Sequence, residues 1–370
     1  MTTPIRVLHA IETPGTGGAE RVLVDVARSL SPDFHSVGMT LVEGWTADEL
    51  RSQHIENHVL ALKRSFDLSW PVRFARFLRR NAIDVVHCHE FTTTCYAALG
   101  CALASVPLVS TMHGKNYWPH RAYRRRALSW AARSSHAFVA VSEDLKRFMM
   151  EVLKLPSDVV RVVRNGIDLA RFTPNTVHGE AVRASLDAAA DDVVIVSVGA
   201  LEPVKGHKLL IEAMAELHRT QPTVKLWLVG EGYLRGELEA QATQLGLQRV
   251  VSFLGWRTDV PAVLAAADFS VLASQSEGMP LAAMESMACG RPVVATRVGG
   301  LGELIESGVS GVLIAPGNLE ELVSALRGLV ENAEQRSMLG AAANQRAVEQ
   351  FSVQAMQASY EAIYRRAITR

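Results

Sequence analysis

The chain is poor in the features that mark secreted, metal-stapled or membrane-spanning proteins. Among 370 residues there are 4 cysteines, Cys88, Cys95, Cys101 and Cys289, and no Cys-x-x-Cys pair. Their mostly apolar surroundings mark them as buried free thiols of a reducing compartment rather than disulfides or zinc ligands. No run of about 18 apolar residues occurs. The N-terminus "MTTPIRVLHAIE" also lacks a basic stretch followed by an apolar one, so neither a spanning helix nor a signal peptide is expected. These absences point to the cytoplasm, with any membrane contact peripheral and at the inner face.

Net charge is missing too, since 38 Lys+Arg balance 38 Asp+Glu. A chain so balanced is not expected to bind nucleic acid. The balance hides an asymmetry: residues 1–180 hold 22 basic and 17 acidic side chains, and residues 181–370 hold 16 and 21. The basic excess gathers at Arg121, Arg124, Arg125, Arg126 and Arg133, interleaved with Tyr117, Trp118, Tyr123 and Trp130. Such a helix either lies on an anionic membrane surface or presents a solvated face. The membrane reading names Arg121, Arg124, Arg125 and Arg126 as the contacts.

What is present is a large apolar share, 48% of the residues, in a chain long enough for two cores. Short β-branched runs alternate with amphipathic stretches, the pattern of parallel sheets covered by helices on both faces. In the first half the strands are expected at 6–10, 36–42, 57–62, 84–88, 107–111, 137–142 and 160–164. In the second they are expected at 193–200, 224–230, 250–255, 269–274, 292–296 and 311–315. Two doubly wound α/β domains follow, over 1–180 and 181–351, with a linker near 168–190 that carries no strand pattern. The last stretch, 352–370, is helical and long enough to pack back on the first domain; covering its own sheet is the alternative.

Ligands of open parallel sheets bind beyond the carboxyl ends of the strands, which directs attention to the loops there and to a cleft between two facing sheets. The segment "SQSEGMPLAAMESMACG" after the strand at 269–274 places Glu277 in a loop, Pro280 at a helix's first position and Glu285 inside that helix, with Gly290 as its left-handed stop. The helix tip at Pro280, Leu281 and Ala282 suits an anion. Two acids bracketing an anion fit a nucleotide sugar: hexose at Glu277, diphosphate at the tip, ribose at Glu285.

Here the chain resembles the retaining family 4 glycosyltransferases of GT-B fold, whose signature is Glu, seven residues, Glu, matched by Glu277 and Glu285. The resemblance extends over essentially the whole chain and implies two Rossmann-like domains facing a central cleft, the first binding acceptor and the second binding donor. It implies that Glu277 holds donor-sugar hydroxyls, that the backbone of Gly278, Met279, Pro280 and Leu281 contacts sugar and phosphate, and that Glu285 holds the ribose. Lys205, in "VSVGALEPVKGHK", is a cation for the diphosphate. The family's Arg after the strand's glycine is absent, because Ala200 follows Gly199; Lys205 acts alone or with Arg164, Arg257 or another basic group.

In the run "PGTGGAERV" Gly15, Gly17 and Gly18 let the backbone pass close to a bound group, and Gly17, Gly18, Ala19 and Glu20 match the family's GGAE, which implies backbone contact with donor phosphate or sugar. His113, directly after a strand, matches the histidine beside the transferring sugar. Gly255 and Trp256 fall where the family's nucleobase loop lies, and Asn165 with Gly166 forms a hinge turn. His87 and His89 suggest a metal, but they are expected to face opposite ways on their strand and to serve acceptor-side or structural roles. No Asp-x-Asp occurs, so the diphosphate is expected to be neutralised without metal or other cofactor.

The expected activity is transfer of a sugar from a UDP- or GDP-sugar to a hydroxyl of a glycan or lipid-linked acceptor, with His113, Lys205 and Glu277 as catalytic residues, in cell-surface polysaccharide or glycolipid synthesis. A nucleotide-sugar epimerase, a nicotinamide enzyme and an inactive nucleotide-sugar-binding subunit are the alternatives. Ala200 favours the last of these.

Overall fold

The computed structural model describes residues 3–64, 66–115, 120–174 and 179–369. They form two compact units, Met1–Gly166 with Val353–Arg370, and Ile167–Ser352.

The first unit is built on seven strands: β1 (Ile5–Ile11), β2 (Phe34–Thr40), β3 (Asn57–Val59), β4 (Val85–His89), β5 (Leu108–Met112), β6 (Ala137–Ala140) and β7 (Val160–Val162). Each overlaps a run expected from the sequence, although β2 starts two residues before its run and β3 keeps only the first three residues of 57–62. All pair in parallel, in the order β3-β2-β1-β4-β5-β6-β7. Between them run α1 (Gly18–Ser29), α2 (Trp45–Ser52), α3 (Trp70–Arg80), α4 (Phe91–Ala104), α5 (Ala122–Ser134) and α6 (Glu143–Leu153). Leu8, Val37, Met39 and Val86 of the sheet meet Trp70, Phe74 and Leu78 of α3 in one buried cluster. Each such side chain contributes roughly 1.5–3 kcal/mol by leaving water.

The second unit has six strands: β8 (Val193–Val198), β9 (Val224–Val229), β10 (Val251–Gly255), β11 (Phe269–Leu272), β12 (Val293–Thr296) and β13 (Gly311–Ile314), in the order β10-β9-β8-β11-β12-β13. Its helices are α7 (Gly179–Ser185), α8 (His207–His218), α9 (Arg235–Gln244), α10 (Val260–Ala266), α11 (Leu281–Ala288), α12 (Leu301–Leu304), α13 (Leu319–Glu331) and α14 (Ala333–Gln350). The first unit ends at Gly166, not at 180. The physical reason lies in α7, which packs on α10, where Arg183 donates to the Ala266 carbonyl at 2.9 Å and to Asp268 at 2.6 Å. Residues 179–185 are thereby part of the second core.

The last helix, α15 (Val353–Ile368), belongs to the first unit. Its Tyr360 and Tyr364 are fully buried, and their hydroxyls bond Thr111 of β5 (3.0 Å) and His87 of β4 (2.6 Å).

The strand orders reverse between β1 and β4 in one sheet and between β8 and β11 in the other. At such switch points the flanking loops leave in opposite directions and open a crevice at the carboxyl edge.

Candidate active site

The switch point of the second unit carries a charged pair. The chain leaves β8 through Gly199, passes a short 3-10 turn over Pro203–Lys205, and enters α8 at Gly206. Gly206 has φ +70, and a Cβ there would lie 2.1 Å from the Ala273 carbonyl oxygen. Only glycine lets this loop rest on the chain leaving β11. The Gln275 amide donates to the Val204 carbonyl at 2.7 Å and ties the two loops.

This contact brings Lys205 to Glu277. Lys205 Nζ donates to Glu277 Oε1 at 2.8 Å, and Ser274 Oγ donates to the same oxygen at 2.6 Å. Ser274 is held in turn by Thr296, whose hydroxyl donates to the Ser274 carbonyl at 2.5 Å. The Glu277 side chain is 7% exposed and that of Lys205 27%, so the lysine is the solvent-facing half. Together with Ser197, Gly199 and His207 they line a small cleft, in which Lys205 is the only cation among the described residues.

The helix beyond Glu277 starts one residue later than expected. Pro280 is the N-cap, in extended conformation, and Leu281 is the first helical residue. Its first-turn amides have no partner within the helix. Gly278, Met279 and Leu281 are buried and Pro280 is half-buried. Glu285 is 5% exposed and sits about 6 Å further along the axis at 1.5 Å per residue. Gly290, at φ +70, follows the helix end and donates to the Met287 carbonyl at 2.9 Å.

A support that the sequence reading assigned no role lies beneath the loop. Gly299 has φ +53, and a Cβ on it would stand 1.8 Å from the Glu277 carbonyl oxygen; the Gly300 amide donates to the Gly278 carbonyl at 2.8 Å. The "VGG" after β12 thus presses directly on the main chain of Glu277 and Gly278. His207 was also missed: it is buried in the same cleft, and burial first, then the Lys205 charge, lower its pKa to about 4. Its signal was its place two residues after Lys205.

The loops after β8, β9 and β10 are joined at the same edge. Gly230 donates to the Gly255 carbonyl at 2.8 Å, and Gly199 donates to the Val229 carbonyl at 2.9 Å. Gly255 has φ +66 and lies against the Glu231 carboxylate, and the next residue, Trp256, is 46% exposed. Arg257, one candidate to replace the missing arginine at Ala200, is engaged by both carboxylate oxygens of Asp259 at 2.8 and 2.6 Å. Arg164, the other, belongs to the first unit.

In the first unit, Gly17 caps α1 and Gly18 opens it. Glu20 folds back against this turn, since its Oε2 would lie 2.6 Å from a Cβ on Gly17, and it accepts a bond from the Thr13 hydroxyl. His113 follows β5. Its Nε2 shares a 2.8 Å hydrogen bond with His89 Nδ1, the two rings stack 5.1 Å apart, and its main-chain amide donates to Glu90 at 3.3 Å. Burial lowers the His113 pKa to about 3, keeping the ring neutral, and raises that of Glu90 to about 8. Glu90 holds this position with φ +68.

His87 and His89 do not face opposite ways. Residues two apart on a strand share a face, and their rings lie 4.2 Å apart. With His9 they form the one group of metal-compatible spacing found among the described residues, all buried. Both His87 nitrogens are already bonded, to Tyr364 (2.6 Å) and Thr111 (2.8 Å). Those two bonds fix the His87 ring between α15 and β5. Tyr117 and Trp118 lie outside the described residues. Arg124, Arg125 and Arg126 are on α5, and Arg121 is its N-cap.

Residues 179–346 match the family described as Glycosyl transferases group 1, and residues 16–171 match Glycosyltransferase Family 4. A glycogen synthase of Mycobacterium tuberculosis is 31% identical over 291 residues, covering 76% of this chain and 68% of that protein. An Escherichia coli UDP-Gal:alpha-D-GlcNAc-diphosphoundecaprenol alpha-1,3-galactosyltransferase is 24% identical over 339 residues, 87% of each chain. The crystal structure of Anabaena HepE in complex with UDP-glucose superposes with a TM-score of 0.87 at 25% identity, covering 97% of this chain and 98% of HepE. Two Rossmann-like parallel-sheet domains matching these neighbours make the fold GT-B. The chain belongs to glycosyltransferase family 4.

Proposed function

We propose that the chain moves a hexose, with retained configuration and without a metal or other cofactor, from a UDP- or GDP-sugar to a hydroxyl of a glycan or lipid-linked acceptor. The observation that carries the reading is the Lys205–Glu277 pair at the β8/β11 switch point, 2.8 Å long and beside the tip of α11. On donor binding Lys205 turns to the diphosphate and Glu277 to sugar hydroxyls. The first-turn amides at Leu281 and beyond receive phosphate oxygens, Glu285 receives the ribose, and Gly255 with Trp256 flanks the base.

The acceptor oxygen bonds to the anomeric carbon as the bond from that carbon to the phosphate oxygen breaks, and the acceptor's proton passes to the departing phosphate. Lys205 and the helix amides stabilise the charge growing on that phosphate. Neutral His113 offers a hydrogen bond to the transferring sugar, and the Gly17–Gly18 backbone a close approach to its phosphate.

The HepE complexes with UDP and UDP-glucose support a UDP-sugar. The E. coli relative, named for a diphosphoundecaprenol acceptor, supports a lipid-linked glycan in cell-surface polysaccharide synthesis. No helix among the described residues is long and apolar enough to cross a membrane, and Arg121, Arg124, Arg125 and Arg126 supply peripheral contact at its cytoplasmic face. Ala200 favours one second reading, a nucleotide-sugar-binding subunit without turnover, which would bind donor and transfer to no acceptor. The kinetic test is a pair of variants: Glu285→Ala raises the donor KM strongly and Lys205→Ala lowers kcat. Unchanged kinetics in both overturn the assignment.

A further inference from the structure

On one side of the first sheet α3 packs on α4, and α4 on α5. None of the three helices contains an acidic residue, whereas α3 carries Arg73, Arg76, Arg79 and Arg80, and α5 carries Arg124, Arg125, Arg126 and Arg133. Residues 60–135 hold 12 Lys+Arg and 3 Asp+Glu, against 26 and 35 in the rest of the chain. Of those three acids, Asp67 is buried and pairs with Arg73 at 2.6 Å, Glu90 is buried, and Asp84 accepts the Arg6 amide at 2.8 Å, so Arg76, Arg79 and Arg80 of α3 and the arginines of α5 have no acidic partner within these helices. An electrically balanced protein therefore concentrates its positive charge here.

The loop entering α3 adds a feature that charge alone does not explain. Phe66 is 72% and Leu68 83% exposed, and between them Asp67 is 2% exposed. The Asp67 carboxylate accepts from the Lys63 amide (3.0 Å), the Ser69 amide (3.0 Å) and hydroxyl (2.6 Å), and Arg73 Nη2 (2.6 Å), while its own amide donates to the Tyr96 hydroxyl at 3.1 Å. Five bonds turn Asp67 inward. Phe66 and Leu68 are consequently held outward by a fastened loop rather than left to fold back. Val72 on α3, Leu99 and Leu103 on α4 and Trp130 on α5 are further exposed apolar side chains of these helices.

We propose that Phe66 and Leu68 are a membrane-entry point: they insert at the interface of a bilayer containing anionic lipid while the arginines of α3 and α5 meet headgroup phosphates. Apolar side chains projecting beside acid-free rows of arginine are the chemistry of an interfacial contact. A nucleic acid, the other polyanion, would leave the exposed aliphatic Leu68, Val72, Leu99 and Leu103 without the apolar partner that acyl chains provide. The inference rests on the membrane contact proposed above and moves its anchor from the α5 arginines to the loop before α3.

The test uses the full-length protein and vesicles of phosphatidylcholine alone or mixed with phosphatidylglycerol, read by co-sedimentation at low and high salt. The expected result is binding to the mixed vesicles that weakens with salt. Phe66→Ser/Leu68→Ser should weaken it by about tenfold or more at an unchanged melting temperature, in keeping with the loss of two buried apolar groups. A Phe66→Trp variant should shift its emission to shorter wavelength on those vesicles only. If Phe66→Ser/Leu68→Ser binds as well as the parent while Arg124→Glu/Arg125→Glu/Arg126→Glu releases, the entry point is overturned and the α5 contact stands. If the parent binds neither vesicle, or binds single-stranded oligonucleotide instead, both membrane statements are overturned, and the donor-site reading remains to be judged by the Glu285 and Lys205 kinetics.

Discussion

Replacing Glu277 by glutamine removes a charge but keeps the shape, and so isolates what the pair with Lys205 contributes. One oxygen, Oε1, accepts both Lys205 Nζ at 2.8 Å and Ser274 Oγ at 2.6 Å. Glutamine presents an oxygen at the same place, so the Ser274 bond survives as a neutral one. Hydrogen bonds to charged groups are worth about 1.5–3 kcal/mol and neutral ones about 0.5–1.5, which puts the cost at about 1–1.5 kcal/mol. Lys205→Met removes the donor altogether and should cost about as much, because the lysine is only 27% exposed. For a unit of this size each kcal/mol lowers Tm by about 2–4 °C.

Denaturation curves of the parent, both single variants and the double variant then give the coupling energy, expected at about 1–2 kcal/mol without ligand. Under the proposed function, saturating UDP-glucose should reduce it, since a bound donor would take both partners. Strict additivity in the free protein, or a coupling that UDP-glucose leaves unchanged, would refute the view that ligand replaces this bond.

Acid should weaken the first unit before the second. His9, His87, His89 and His113 are held neutral by burial, with His9 and His113 lowered to about 3, while the same groups in the unfolded chain protonate near 6.5. Their stabilising contribution is therefore complete above about pH 6.5 and is lost as pH falls toward the folded values; by pH 5.5 each unfolded imidazole gains about 1.4 kcal/mol. Glu90, raised to about 8 in the same unit, works the other way and offsets about one histidine; calorimetry should still show one transition moving down as pH falls, and a flat Tm from pH 7 to 5 would contradict it. Two glycines offer a matched comparison. Gly299→Ala drives a methyl to 1.8 Å from the Glu277 carbonyl oxygen, whereas Gly308, at φ +83, has open space around it. Gly308→Ala should cost only the left-handed backbone term, about 1–2 kcal/mol, and leave UDP-glucose binding intact; Gly299→Ala should cost more and abolish that binding, as read by thermal shift.

Much of this molecule is a local property of its sequence. Most strands among the described residues are legible because a strand covered on both faces carries a near-continuous apolar run, and β3, Asn57–Val59, is the exception. The acids at 277 and 285 are legible as well, since one loop and one helix separate them. Other features needed the fold. Lys205 and Glu277 are 72 residues apart and His87 and Tyr364 are 277 apart, and they meet only because crossovers set β8 beside β11 and bring α15 back to β4 and β5. The shared face of His87 and His89 was available from strand geometry and was misread. The reach of the second core to Ile167, the pressure of Gly299 on Glu277 and the outward hold on Phe66 and Leu68 were not available, because each is decided by which surfaces pack together. Sequence period specifies which face of an element is apolar; strand order, which no local pattern encodes, decides what that face and its loops touch.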